Sequence, residues 1–404
     1  LPTNIDTLDL YVFGKNAIPF LPGAEVWAGR RGYLYQFYVN IIDRRSYVIG
    51  GDGGGINDIA LGDFAKLDIA YLTASPTGGT QTTVNPLNPT GSTYGDVRTN
   101  NGNLNKQSIF ARLHDIETPF IGGKTSLMAQ YQFAAGGRAL VSGDFQGVPG
   151  TSYYNNLNYA GGIRFPQADG VSVALIQDNK FDLMHGDLKV TNHLFLGAGF
   201  GTAFDTTNAD KLRASPYYAV PTETLVANNN TVYTLADAHA FKEADQIDFY
   251  YKDKIELEAY AIYEYQNSGR PDVPIADAAL NFGTGGTVRA KGLQNWVDVG
   301  IRPAYNFTPF FALEAEATYN YINNTAYNAI RSAAGFDSGA GNLFKFTIAP
   351  TFHYGKAGNY PLELHFYYTL AVWNDNLRGS VVGGDPNANR NIGHLFGTQA
   401  VINF

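Results

Sequence analysis

Residues 361–373 read PLELHFYYTLAVW. Taken alternately, Leu362, Leu364, Phe366, Tyr368, Leu370 and Val372 fall on one side, and Glu363, His365, Tyr367 and Thr369 on the other. A strand sends successive side chains to opposite faces, so this segment has one apolar and one hydrated face. The pattern recurs elsewhere in the chain. Phe396, Thr398, Ala400, Ile402 and Phe404 oppose Gly397, Gln399, Val401 and Asn403, and Ile255, Leu257, Ala259, Ala261, Tyr263 and Tyr265 oppose Glu256, Glu258, Tyr260 and Glu264. Leu313, Ala315, Ala317 and Tyr319 oppose Glu314, Glu316 and Thr318, while Leu127, Ala129, Tyr131 and Phe133 oppose Met128, Gln130 and Gln132.

The composition agrees with strands. Among 404 residues there are 27 Tyr, 26 Phe and 45 Gly against 2 Met, the preference of pleated sheets and turns over helices. Twenty-eight basic residues against 36 acidic ones leave a net charge of −8, which argues against a nucleic-acid partner. With no cysteine, disulfides, thiolate metal centres and thiol nucleophiles are excluded. No apolar run approaches the length of a membrane helix, and the first residues, LPTNIDTLDLYVFG, lack the pattern of a signal peptide.

A soluble sandwich also alternates, with its apolar face buried. Here the polar face carries Glu, Lys and His, and Tyr, Phe and Trp flank the apolar face near strand ends, as an aromatic girdle requires. The fold expected is therefore all-β, a transmembrane antiparallel β-barrel. Short connections at 251–254, 302–308 and 353–360 alternate with long polar ones near 201–240, 266–290, 321–340 and 374–392. About fifteen strands are expected, among them 9–13, 24–30, 56–62, 66–73, 159–177 (interrupted at Pro166), 291–302, 360–373 and 393–404. No repeat or linker divides residues 1–404, so a single domain is expected. Fifteen is odd, whereas single-chain bacterial barrels have even strand counts.

The segment 14–43, GKNAIPFLPGAEVWAGRRGYLYQFYVNIID, resembles the maltoporin family in its GKN…LPG…WAG…R pattern. RLHDIETPFIGGKTSL at 112–127, VGIRPAYNFTP at 299–309 and the closing FGTQAVINF at 396–404 are similar to the same family. The resemblance implies an eighteen-stranded homotrimeric channel of the bacterial outer membrane, surrounded by lipid and passing oligosaccharides or other sugars. It also implies that the strand near 8–13 is the family's fourth. About three strands are then expected before Leu1, in an absent amino-terminal portion or a separate polypeptide.

By the same resemblance a third loop, about Gly29 to Gly55, folds into the lumen and narrows it. Arg30, Arg31, Tyr33, Tyr35, Asp43, Arg44, Arg45 and Tyr47 lie in it, a lining whose charges and rings suit sugar hydroxyls and pyranose faces. Arg31 and Asp43 fall on positions of the family's ionic track, and Arg45 stands where the family has a constriction tyrosine. The extra arginine would favour an anionic sugar. The family's aromatic slide is poorly matched, with Asn403 at one of its positions. The run GGDGGG at 50–55 is expected to be a flexible loop return, since no helix with Lys-Ser/Thr follows it and it does not recur. The lumen wall is expected to include Glu256, Glu258, Tyr260, Glu314, Glu316, Glu363, His365 and Tyr367.

Catalysis is not expected. Glu256/Glu258 and Glu314/Glu316 have a spacing compatible with a glycosidase pair, but a hydrated wall neither desolvates a carboxyl nor shields an intermediate. No cofactor is implied, and no segment shows the spacing of a dedicated metal site. The expected function is passive, saturable diffusion of carbohydrates; the alternatives are a general or anion-selective diffusion pore and, more remotely, an adhesin.

Overall fold

The structure is a computed structural model. It describes residues 9–39, 44–73, 107–118, 122–139, 163–203, 234–252, 254–267, 269, 273–276, 287–290, 292–325, 328, 332, 338–356, 359–378 and 390–402. At some of these strand positions only the backbone is described.

The strands are β1 Asp9–Lys15, β2 Glu25–Val39, β3 Arg44–Leu61, β4 Ala65–Thr73, β5 Gln107–Glu117, β6 Gly123–Ala134, β7 Gly137–Ala139, β8 Ile163–Phe165, β9 Ala168–Leu183 and β10 Leu188–Gly201. They continue as β11 His239–Tyr251, β12 Ile255–Asn267, β13 Val273–Ala276, β14 Thr287–Ala290, β15 Leu293–Thr308, β16 Phe311–Asn324, β17 Gly341–Lys356, β18 Asn359–Trp373 and β19 Ile392–Ile402. Fifteen of them form one antiparallel sheet in chain order, and β7–β8 and β13–β14 are separate two-stranded ribbons. The count of fifteen matches the expectation. β1 and β19 are the margins of the sheet and are not paired with each other among the described residues.

Which face meets solvent decides between barrel and sandwich. Leu362, Leu364, Phe366 and Val372 are exposed on β18, as are Phe344, Phe346, Ile348 and Phe352 on β17 and Ile109, Leu127 and Val173 farther along the sheet. On the opposite face Asp68, Ser108, Gln130, Ser172, Lys242, Glu264 and Thr351 are buried. This inverts a soluble sandwich. An apolar surface spread over strand after strand is far larger than soluble proteins expose, and suits acyl chains.

Rings gather on this outer face near the short turns. Tyr305, Phe307, Phe311, Phe352 and Phe366 form a row across β15 to β18, with successive centroids 4.8, 5.8, 5.3 and 6.2 Å apart. Such a row is what an interfacial girdle requires. A polar group interrupts the outer face on β9, β10 and β11, beside the turn that follows β5. Gln177 donates to Thr118 Oγ1 at 3.1 Å and to Asn179 Oδ1 at 2.8 Å, Asn179 donates to Asn192 Oδ1 at 3.2 Å, and Asn192 donates to Asp245 at 2.5 Å. The amides thus satisfy one another, as an apolar surrounding demands.

Three expectations need correction. Much of the segment 29–55 is strand rather than loop: β2 continues to Val39 and β3 starts at Arg44. The glycine run belongs to β3, and its part from Asp52 to Gly55 is paired on both sides, Gly55 with Trp27 and Ala70, Gly53 with Gly29 and Leu72. The missing side chains permit this: a Cβ on Gly53 would lie 1.9 Å from the Tyr71 carbonyl oxygen, and one on Gly50 2.0 Å from that of Gly32. Second, 302–308 is not a turn, because β15 runs to Thr308. Its pairing with β12 is continuous through Pro303, whereas pairing with β16 skips from Ile301 to Ala304, around a residue with no N–H. Third, the strand expected at 159–177 is shifted. β9 begins at Ala168, beyond Pro166, and continues to Leu183.

Candidate functional site

The far part of the β2–β3 hairpin leaves the plane of the sheet. Phe37 of β2 has its ring 5.4 Å from that of Phe195 on β10. Five strands separate β2 from β10 in the sheet order. Six strand spacings would put them about 29 Å apart on a flat sheet, so the contact requires the sheet to curl and the hairpin to fold across its inner face. Leu34, Phe37, Val39 and Ile49 of the hairpin pack in one buried cluster with Phe110, Met128, Ala174, Phe195, Ala244 and Ile262.

Tyr35 fixes the hairpin to the wall. Its hydroxyl donates to Asp68 Oδ2 at 2.5 Å, its ring stacks on Phe110 at 4.9 Å, and the Arg112 guanidinium carbon lies 4.6 Å from its centroid. Asp68 is the hub. The backbone N–H of Asp58 donates to its Oδ1 at 2.7 Å, His114 Nε2 lies 3.2 Å from the same oxygen, and Arg112 Nη1 is 3.8 Å from Oδ2. Asp58 and Asp115 have φ of 58° and 59°, each at a register shift in its strand, and these bulges lie beside the hub.

The hairpin divides the inner face. Under it Gln130 and Ser172 are 4% and 0% exposed, in a network where Gln130 donates to Ser108 at 2.7 Å and Ser172 to Gln130 at 3.4 Å. On β16 and β18 the side chains of Glu314 and Glu363 keep 19% and 20% exposure. Water therefore reaches the inner face at Glu258, Glu314 and Glu363, where carboxylates gather. The Arg302 guanidinium pairs with Glu258, and Glu256 accepts a hydrogen bond from Asn306 at 2.8 Å.

The predicted lining residues separate into groups. Arg30 lies on the face opposite Trp27 and spends its charge on Asp52, with contacts of 2.7 and 3.2 Å. Arg31 shares the inner face with Tyr11 and Trp27, its guanidinium carbon 4.6 and 5.3 Å from their rings. Tyr33, Arg44, Arg45 and Tyr47 belong to β2 and β3, but their side chains, and Asp43 altogether, lie outside the described residues. Glu256, Glu258, Tyr260, Glu314, Glu316, Glu363, His365 and Tyr367 share the inner face, opposite the exposed apolar positions. Tyr260 is buried: it lies over Gly300, its partner in register, and donates to Asp298 at 2.8 Å. Tyr367 covers Gly397 in the same manner. These tyrosines fill the space left by glycines on the adjacent strand.

Sequence reasoning missed Asp68, Arg112 and the contribution of His114. Their separations from Tyr35, 33 residues for Asp68, match no local motif, and only strand pairing unites them. A family model described as LamB porin matches residues 3–402 of the chain.

Proposed function

The chain belongs to the LamB porin family, and from this premise we propose that it carries carbohydrates by passive, saturable diffusion across a bacterial outer membrane, as a homotrimer and without catalysis. The family is one of sugar-specific outer-membrane channels. The observation that carries the reading is the sidedness of the sheet: apolar residues exposed outside, hydrogen-bonding residues inside, with a hairpin across part of the interior. Carboxylates and Arg302 along the open part offer acceptors and donors to sugar hydroxyls. Glu256 and Glu258 are engaged with Asn306 and Arg302, which supports a lining role over an acid–base one.

Neutral sugars are the class we propose. Arg44 and Arg45 would favour anions, but such a solute also meets Glu256, Glu258, Glu314, Glu316 and Glu363 on the open wall. Planar-bilayer recordings test this. Neutral malto-oligosaccharides are expected to block the ion current with saturation, and reversal potentials in a salt gradient to show no anion preference. A current indifferent to every sugar tried would favour a general diffusion pore, and a clear anion preference would restore the anionic class.

A further inference from the structure

Glu314 lies on β16, and Glu363 and His365 on β18. We propose that these three side chains bind a divalent transition-metal ion of the zinc type on the channel wall. One ligand-class atom from each lies within 4.8 Å of the other two. His365 Nε2 is 3.3 Å from Glu363 Oε2, and Nδ1 is 3.6 Å from Glu314 Oε2. Tetrahedral zinc, with bonds of about 2.0–2.2 Å, holds its ligand atoms about 3.3–3.6 Å apart. Glu363 thus stands at that separation from Nε2, and Glu314 from Nδ1, the other nitrogen of the ring.

A single ion takes one nitrogen, and Thr351 selects it. The Thr351 hydroxyl donates to the Ala349 carbonyl at 3.4 Å and lies 3.0 Å from His365 Nδ1. In the tautomer with Nδ1 protonated, its oxygen accepts from Nδ1–H. That tautomer turns the Nε2 lone pair toward the Glu363 carboxylate and leaves a place for a cation, whereas the other tautomer donates Nε2–H to Glu363 and fills it. Zinc selects the first tautomer, and Glu314, which stands beside Nδ1, completes the set by rotating its side chain toward the ion. A hydrogen bond from the far ring nitrogen is the support that metal-binding histidines generally have. The donor set of one imidazole and two carboxylates suits zinc or nickel better than calcium, which takes oxygen ligands alone.

The site is within reach of dissolved ions. The three side chains keep 14–20% exposure on the open part of the wall. His353 faces Glu363 across the β17–β18 ladder, and Glu256 and Arg302 stand on the neighbouring strands. The competing occupant is a proton, which would make His365 an imidazolium between two carboxylates.

Titration calorimetry on the full-length protein with zinc chloride near neutral pH separates the two. One saturable zinc per chain is expected, and His365→Gln or Glu363→Gln should weaken it by tenfold or more, an effect at least as large as the about tenfold loss typical of removing an outer-shell partner. Thr351→Val, which keeps the shape and removes only the backing hydroxyl, should weaken zinc by about tenfold while the far-ultraviolet spectrum stays that of the wild type. Glu243→Gln, on the other face of β11, should leave binding unchanged. Absence of saturable zinc binding, equal binding by His365→Gln, or calcium binding as tightly as zinc would overturn the proposal. Sugar block of the current bears on the channel reading alone, so the two can fail separately.

Discussion

Lys242→Met is expected to destabilise the protein by about 3–5 kcal/mol, the cost of removing one partner of a buried ion pair. Lys242 and Glu264 are partners in register on β11 and β12, with Nζ 2.9 Å from Oε2 and side chains only 5% and 4% exposed. Gln266 also donates to Glu264, so the carboxylate is held in a charged geometry that methionine cannot neutralise. The double variant Lys242→Met/Glu264→Leu should recover most of the loss, because replacing a whole buried pair by apolar groups is often neutral or better. Unfolding midpoints in denaturant, measured in lipid vesicles, check both. A single variant as stable as the wild type would mean that water reaches this pair.

The second large effect concerns the hairpin. Asp68→Ala removes the carboxylate that receives the Tyr35 hydroxyl, the Asp58 amide and His114. A hydrogen bond to a charged group contributes about 1.5–3 kcal/mol, which corresponds to a roughly 10- to 100-fold rise in the population of the hairpin away from the wall. Single-channel recordings should then show a wider substate visited far more often than in the wild type. Tyr35→Phe loses the same hydrogen bond and keeps the stack on Phe110, so it should raise that population to a similar extent. The buried cluster of Leu34, Phe37, Val39 and Ile49 remains in both variants, so the hairpin stays folded on average. Recordings of Asp68→Ala indistinguishable from the wild type would place the restraint in that cluster instead.

Much of this architecture was legible in the sequence because a strand with two unlike neighbourhoods must alternate. Leu364 against Glu363, and Leu313 against Glu314, announced both the element and its two sides, and the count of fifteen strands followed from such segments. The hairpin was harder. Gly50–Gly55 has only Asp52 to show a side chain, too little to alternate, so a strand there looks like a loop, although the close approach to Tyr71 and Gly32 is the reason glycine is present. Pro303 likewise resembled a turn, since its cost falls on the ladder to one neighbour only. Sites assembled across strands left no spacing to recognise. Asp68 meets Tyr35 and His114, and Glu314 meets His365, through register that local pattern does not encode.

If the apolar face meets lipid and the polar face encloses water, a water-borne reagent reaches only the second. The chain has no cysteine, so single cysteines can be introduced without background. Reaction of Glu363→Cys, Glu314→Cys, Leu364→Cys and Leu313→Cys with a membrane-impermeant thiosulfonate, in the reconstituted protein, is the most direct measurement. The first two should react and lower the conductance, and the last two should stay unmodified. Rapid labelling at positions 313 and 364 with protection at 314 and 363 would mean that the two faces are reversed.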